Sequence, residues 1–477
     1  MQRVISNNFR FRKNSNGDSA QADTKKFKYN EKFLRDSLIT NMRARILAFA
    51  IFLFYFIEFG TLGLLPEKLY FVYRNVKISD FILYALIIYS MFCYKEYKDL
   101  FKSKSLRLPK LFLLYVIFEF VISFIRYEFN PLEYFFRLKG LWTSFLIFPF
   151  LLLLKRNGFG FLAKLIFPVA VISNILYILS ALTGISFLGE VSIVKQRLTS
   201  DIEVYRVYGG TFFGDLFFLG MVYYWITKKF KWWQLFPAVL FAIPHILAFG
   251  RMAWAGFAFT IIFMIAINSL RKKNFRILFK QAFILAIFGL AILVAFIQVI
   301  PESGFYIEAV KTRLTQGQED VKYGEGTYGT RVITQNASLI KLWSENDLLL
   351  GIGMHPMWVV QPESREEAVY YSAFCDVTWP GVLAAYGVIG LGICIIMQFY
   401  WIFVSFRLVR KVPDASLMGM FLILFLANLI FDVTVGFSYV FISTILWGFY
   451  FDNYYIAFFA YSYEYMKKKK LESENLV

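Results

Sequence analysis

Cysteine and histidine are nearly missing from this chain: three cysteines and two histidines in 477 residues. That excludes a disulfide framework and a thiolate cage for a metal. His245 and His355 alone do not make a histidine metal cluster. Cys93 and Cys394 fall inside apolar runs and Cys375 stands by itself. No glycine-rich phosphate loop and no Ser-His-Asp grouping can be picked out, so no cofactor is implied. Acid is in deficit as well, with 33 Asp and Glu against 51 Lys and Arg and a net charge of +18. The basic excess sits in short clusters beside apolar runs, as membrane orientation requires. Nucleic-acid binding demands a basic face on a folded module, and none is indicated.

What the chain has in quantity is apolar surface: 58% hydrophobic residues, 20% aromatic, mean hydropathy +0.55. No soluble domain buries so much, so the class is an all-α polytopic membrane protein. Apolar runs fall at 46–64, 79–94, 111–125, 140–154, 161–183, 210–227, 232–249, 252–269, 277–300, 380–405, 416–435 and 437–456. Each approaches the roughly 20 residues that cross hydrocarbon as a helix, which gives about twelve spans. The first run starts too far from Met1 for a cleaved signal. The expected organisation is a basic cytoplasmic leader (1–44), spans one to nine (45–300), a large extracytoplasmic loop carrying short helices (301–379), spans ten to twelve (380–460) and a basic cytoplasmic tail (461–477). With both ends inside, every inner segment is short and basic, including 95–110, 155–164 and 271–280; that is the positive-inside pattern.

The loop 301–379 is too long to be a mere connection. Within it Arg331 to Glu345 carries Val332, Ile333, Leu339, Ile340, Leu342 and Trp343, a spacing that predicts an amphipathic helix on the membrane surface. Gly351-Ile352-Gly353 predicts a turn where backbone approaches a ligand. Gly324-Glu325-Gly326 reads as a flap, and Pro356 and Pro362 keep the remainder irregular.

Arg206, Arg251, Arg313, Arg331 and Arg365 face outward on this topology. The first four are candidates for a lipid pyrophosphate site, because guanidinium forks bind phosphate oxygens in pairs and never lose charge; the alternative is a headgroup-level anchor. Asp376, just before the tenth span, is a candidate proton acceptor or an N-terminal cap. His355 is a candidate base or sugar-binding donor, or a plain surface histidine. His245 reads as a satisfied interhelical histidine. Of the acids within runs, Asp215 and Asp432 lie near outer span ends and could line one cavity, while Glu58 and Glu119 could pair with arginines such as Arg126. They do not form the midplane relay of a proton-driven pump.

Several motifs resemble one family. Tyr205-Arg206-Val207-Tyr208-Gly209-Gly210-Thr211-Phe212, Phe249-Gly250-Arg251-Met252-Ala253-Trp254, the run Arg331…Trp343…Leu350-Gly351-Ile352-Gly353, and Tyr386-Gly387-Val388-Ile389-Gly390 are similar, in order and placement, to the bacterial O-antigen polymerase and ligase superfamily. The ligases carry a loop histidine where this chain has Asp376 followed by Val377, and His355 is not its equivalent, so the resemblance favours the polymerase branch. It implies a GT-C-like fold in the bacterial plasma membrane and a metal-independent glycosyltransferase. The donor would be a glycan on undecaprenyl pyrophosphate and the acceptor a lipid-linked repeat unit, amid membrane lipids. A chain-length regulator and a flippase are candidate partners. Alternatives are a ligase that transfers a finished glycan, a lipid-linked oligosaccharide flippase or transporter, and a non-catalytic assembly scaffold.

Overall fold

The computed structural model describes residues 42–58, 71–73, 76–127, 139–187, 192–197, 203–208, 213–227, 235–248, 250–299, 303–323, 333, 336, 339–340, 342–344, 348–351, 378–412, 416–434 and 452–474. The described chain is helical: α1 (Met42–Glu58), α2 (Ile78–Phe92), α3 (Tyr94–Phe101), α4 (Arg107–Tyr127), α5 (Lys139–Ser144), α6 (Ile147–Lys155) and α7 (Phe159–Thr183). Next come α8 (Gly214–Thr227), α9 (Leu235–Leu247), α10 (Arg251–Lys272), α11 (Phe275–Val299), α12 (Ser303–Tyr323), α13 (Thr378–Val409), α14 (Leu417–Thr434) and α15 (Asp452–Glu474). Two small antiparallel ladders interrupt the helices, β1 (Phe71–Tyr73) with β2 (Val76–Lys77), and β3 (Ser192–Arg197) with β4 (Glu203–Tyr208).

Among the described residues four helices are long and apolar enough to cross a membrane: Lys104–Ile125, Phe159–Thr183, Trp254–Lys272 and Tyr386–Val409. A fifth is reached only if α2 is counted with α3, which leaves it at 84°. Large side chains such as Ile125, Ile172, Ile262 and Phe403 stand exposed on these helices. A contiguous apolar exterior is a liability in water and the normal condition in lipid. The chain is a helical membrane protein.

Lipid tails are as apolar as leucine, so helices in a bilayer are held by close packing and interhelical hydrogen bonds rather than by expulsion of water. Both devices are present. The core is built on aromatic rings: Phe421 of α14 stacks on Phe458 of α15 with centroids 4.0 Å apart, and Phe159 of α7 meets Phe458 edge-on at 4.8 Å. Trp401 of α13 is fully buried against Phe425. The Ile226 carbonyl at the end of α8, an orphan acceptor of the last turn, receives the amides of Asn268 (3.2 Å) and Gln281 from α10 and α11. Asn453 of α15 donates to Thr143 O at 2.9 Å.

One end of the bundle is tied by charge. Arg156 forks onto Glu96, Nε to Oε2 at 2.8 Å and Nη2 to Oε1 at 2.7 Å, and its Nη1 donates to the Tyr89 hydroxyl. Lys155 pairs with Asp99 beside it. At the opposite end of α1 and α2, Ser79 donates to the Glu58 carboxylate at 2.6 Å. Between the apolar runs 161–183 and 210–227 stands the β3–β4 hairpin, whose β4 packs on the end of α7. There Gly184 takes φ +72, its N–H bonds to Ser180 O, and the Tyr205 ring lies 2.6 Å from where a Cβ would stand. Only glycine combines that left-handed cap with that closeness.

Replacing Arg156 with Ala removes a two-pronged, charge-assisted contact and should cost about 1.5–3 kcal/mol of stability. Lysine, a point charge without the fork, should recover less than half of it. Thermal unfolding in detergent measures both, and equal melting of Arg156→Ala and wild type would contradict the tie.

Candidate functional site

A second buried cluster, separate from the main core, gathers the elements that carry the predicted arginines. It joins Val204 and Val207 of β4 to Tyr177 and Ala181 of α7, Ile243 and Leu247 of α9, Phe296 of α11, and Tyr306 and Ala309 of α12. Trp254, in the first turn of α10, packs against it. The Tyr177 hydroxyl donates to Val207 O at 3.2 Å, pinning the hairpin to α7. Arg206 stands on β4 opposite Val194. Arg251 is the first residue of α10. Arg313 lies on α12, half-buried, on the helix face of Tyr306, Ala309 and Val310; positions i, i+3, i+4 and i+7 share one stripe. The backbones bearing three of the four arginines are therefore fixed to one cluster. Arg331, His355 and Asp376 lie outside the described residues, as do Arg365, Cys375, Gly353, Pro356, Pro362 and the 324–326 segment.

Beside this cluster sits a carboxylate–imidazole pair. Asp215 is in the first turn of α8 and His245 in the last turn of α9, with Nε2 of His245 3.1 Å from Asp215 Oδ1. The imidazole is held between Phe257, centroids 4.1 Å apart, and Phe218 at 6.2 Å. Its backbone carbonyl accepts from the Trp254 indole at 2.6 Å. The histidine side chain is 14% exposed and the aspartate 60%, so the acid is the more exposed member of the pair. Sequence reading picked out both residues but not their contact. Consecutive antiparallel spans would place the start of one and the end of the next at the same level, but that alone does not turn the two side chains toward each other.

The third feature joins two of the sequence motifs. α13 breaks at Gly387, which takes φ +62 and ψ −171, a region essentially restricted to glycine. Into the break docks the turn 348–350: Val388 N–H donates to Leu348 O at 2.9 Å and Ile389 N–H to Leu349 O at 3.4 Å. The Tyr386 carbonyl accepts from the Tyr115 hydroxyl of α4 at 2.7 Å. A Cβ on residue 387 would lie 2.2 Å from Leu349 O. Beside Gly351, α13 thus makes a close backbone approach to Leu349 and Leu350. Just before the turn, Ile333, Asn336, Leu339, Ile340 and Leu342 to Ser344 are helical. Leu342 is buried and Leu339 packs on the core, whereas Ile333, Ile340 and Trp343 are exposed.

A cavity of about 260 Å³ between α6, α7, α8, α14 and α15 is lined by Phe150, Leu162, Phe213, Met420, Tyr454 and similar residues. Among the described residues no charged side chain lines it, which makes it a poor place for a diphosphate. Among the described residues no three His, Cys, Asp or Glu side chains gather to hold a metal ion. No family model and no curated protein matches the chain.

Gly387→Ala should force the 348–350 turn out of its seat. The backbone penalty of about 1–3 kcal/mol adds to two lost hydrogen bonds of about 1 kcal/mol each. Faster limited proteolysis around residues 344–351 together with a lower melting temperature is the expected result; wild-type protection would show that the seat tolerates a side chain.

Proposed function

We propose that the chain is a polysaccharide polymerase of a bacterial plasma membrane, with about twelve spans, both termini in the cytoplasm and the 301–379 loop outside. It transfers a growing glycan from undecaprenyl pyrophosphate to a lipid-linked repeat unit. The observation that carries this reading is the common anchoring of Arg206, Arg251 and Arg313 through one buried cluster, beside an exposed carboxylate. A departing diphosphate develops charge that preorganised guanidinium groups stabilise best. Two bulky lipid-bound substrates also need a rigid frame to meet in a reactive orientation, and the hairpin pinned to α7 supplies one wall of it.

A strain lacking the chain distinguishes the readings. Single lipid-linked repeats accumulating on the outer leaflet support polymerisation. Repeats retained on the inner leaflet indicate a flippase, and long unattached polysaccharide indicates a ligase. In the complemented strain, Arg206→Ala and Arg331→Ala should each lower chain growth by about two orders of magnitude with membrane insertion normal, and lysine should not fully rescue either. Wild-type chain length in both alanine variants removes the arginine site.

A further inference from the structure

We propose that Asp215, in close contact with His245, is the carboxylate that takes the acceptor's hydroxyl proton in the transfer step; this rests on the glycan-transfer reading above. The geometry divides the pair into two roles. The imidazole is enclosed by Phe218, Phe257 and the Asp215 contact, and its own backbone is pinned by Trp254. Little of it is left to meet a sugar, the side chain being 14% exposed. The carboxylate is the exposed member, 60% open, on the first turn of a helix whose next turn buries Phe218. A base must reach the hydroxyl before its basicity matters, and only the acid can. His245 is then a positioning residue that bounds one side of the carboxylate by close contact, its Nε2 3.1 Å from Oδ1.

Its place in the fold suits the chemistry. Asp215 follows Arg206 by nine residues, and Arg251 follows His245 by six. β4, the end of α9 and the start of α10 all pack on the second buried cluster. In the step, the acceptor hydroxyl passes its proton to the Asp215 carboxylate as its oxygen forms the bond to the donor's anomeric carbon. The anomeric C–O bond to the diphosphate breaks, and its electron pair leaves on the lipid diphosphate. Asp215 later releases the proton to water. No oxidant, metal or second acid is required. The competing role for an aspartate here is electrostatic support of the helix N-terminus, which affects stability and leaves turnover of the folded protein alone.

The test uses the full-length protein in liposomes with a synthetic lipid-linked repeat unit, reading turnover, acceptor KM and melting temperature. Asp215→Asn should cut turnover by about 100-fold or more with acceptor KM changed less than about threefold. Asp215→Glu, which keeps the charge, should recover part of the loss. His245→Gln should lower turnover by about tenfold while binding holds. Wild-type turnover in Asp215→Asn overturns this inference alone, and so does a loss confined to KM or to melting temperature. Unchanged turnover in His245→Gln overturns the positioning role. A wild-type protein that extends no repeat overturns the transfer reading and this inference with it.

Discussion

Inside an apolar bundle a helix that breaks must have its freed backbone groups satisfied on the spot, because no water is at hand to do it. That constraint explains the arrangement at Gly387. The N–H groups of Val388 and Ile389 and the carbonyl of Tyr386, all at the break, find partners from distant parts of the chain: Leu348 and Leu349 of the loop, and Tyr115 of α4. An unsatisfied buried donor costs about 1–3 kcal/mol, so the break and the docked turn stand or fall together. α13 cannot be bent here unless the loop is seated, and the loop has no comparable seat elsewhere among the described residues. The large polar segment is joined to the bundle by backbone, independently of what its side chains do.

The other end of that segment is fixed differently. α12 enters the second buried cluster through Tyr306 and Ala309, against Phe296 of α11. The hairpin enters it from a different stretch of chain, through Val204 and Val207. Two insertions, one helical and one extended, are thereby keyed to the ends of α7, α9 and α10. A preorganised charged site needs its groups held to within fractions of an ångström by their supports. Apolar keys of this kind provide such support without consuming the charged groups themselves.

Much of the helical framework was legible because hydropathy and helix length are coupled in membrane chains. Runs such as 161–183 and 252–269 became α7 and α10 with little shift. Other features were hidden for identifiable reasons. α12 is polar overall, and its apolar stripe at Tyr306, Ala309 and Val310 is too narrow for a hydropathy window. In α15 the helix continues to Glu474 through Tyr, Lys and Glu, since hydropathy records the solvent and not where a helix stops. Ile193 and Val194 opposite Val207 and Arg206 do show strand-forming residues, yet the segment was read only for Arg206 and the motif around it. The break at Gly387 lies in an unbroken apolar run and depends on a partner some forty residues earlier; no local pattern carries it. For the site, individual residues were legible and their grouping was not: Asp215 and His245 each stood out by polarity in an apolar setting, but their contact depends on how α8 and α9 turn.

The order of the sequence gives the Gly387 junction a direction in time. Residues 348–350 leave the ribosome before α13 does, so the carbonyls that Val388 and Ile389 need already exist when the broken helix enters the bilayer. Were the turn encoded downstream, each newly made molecule would pass through an interval with two donors stranded in hydrocarbon. As written, the clasp is made ahead of the bar it closes on, and insertion and docking can proceed as one event.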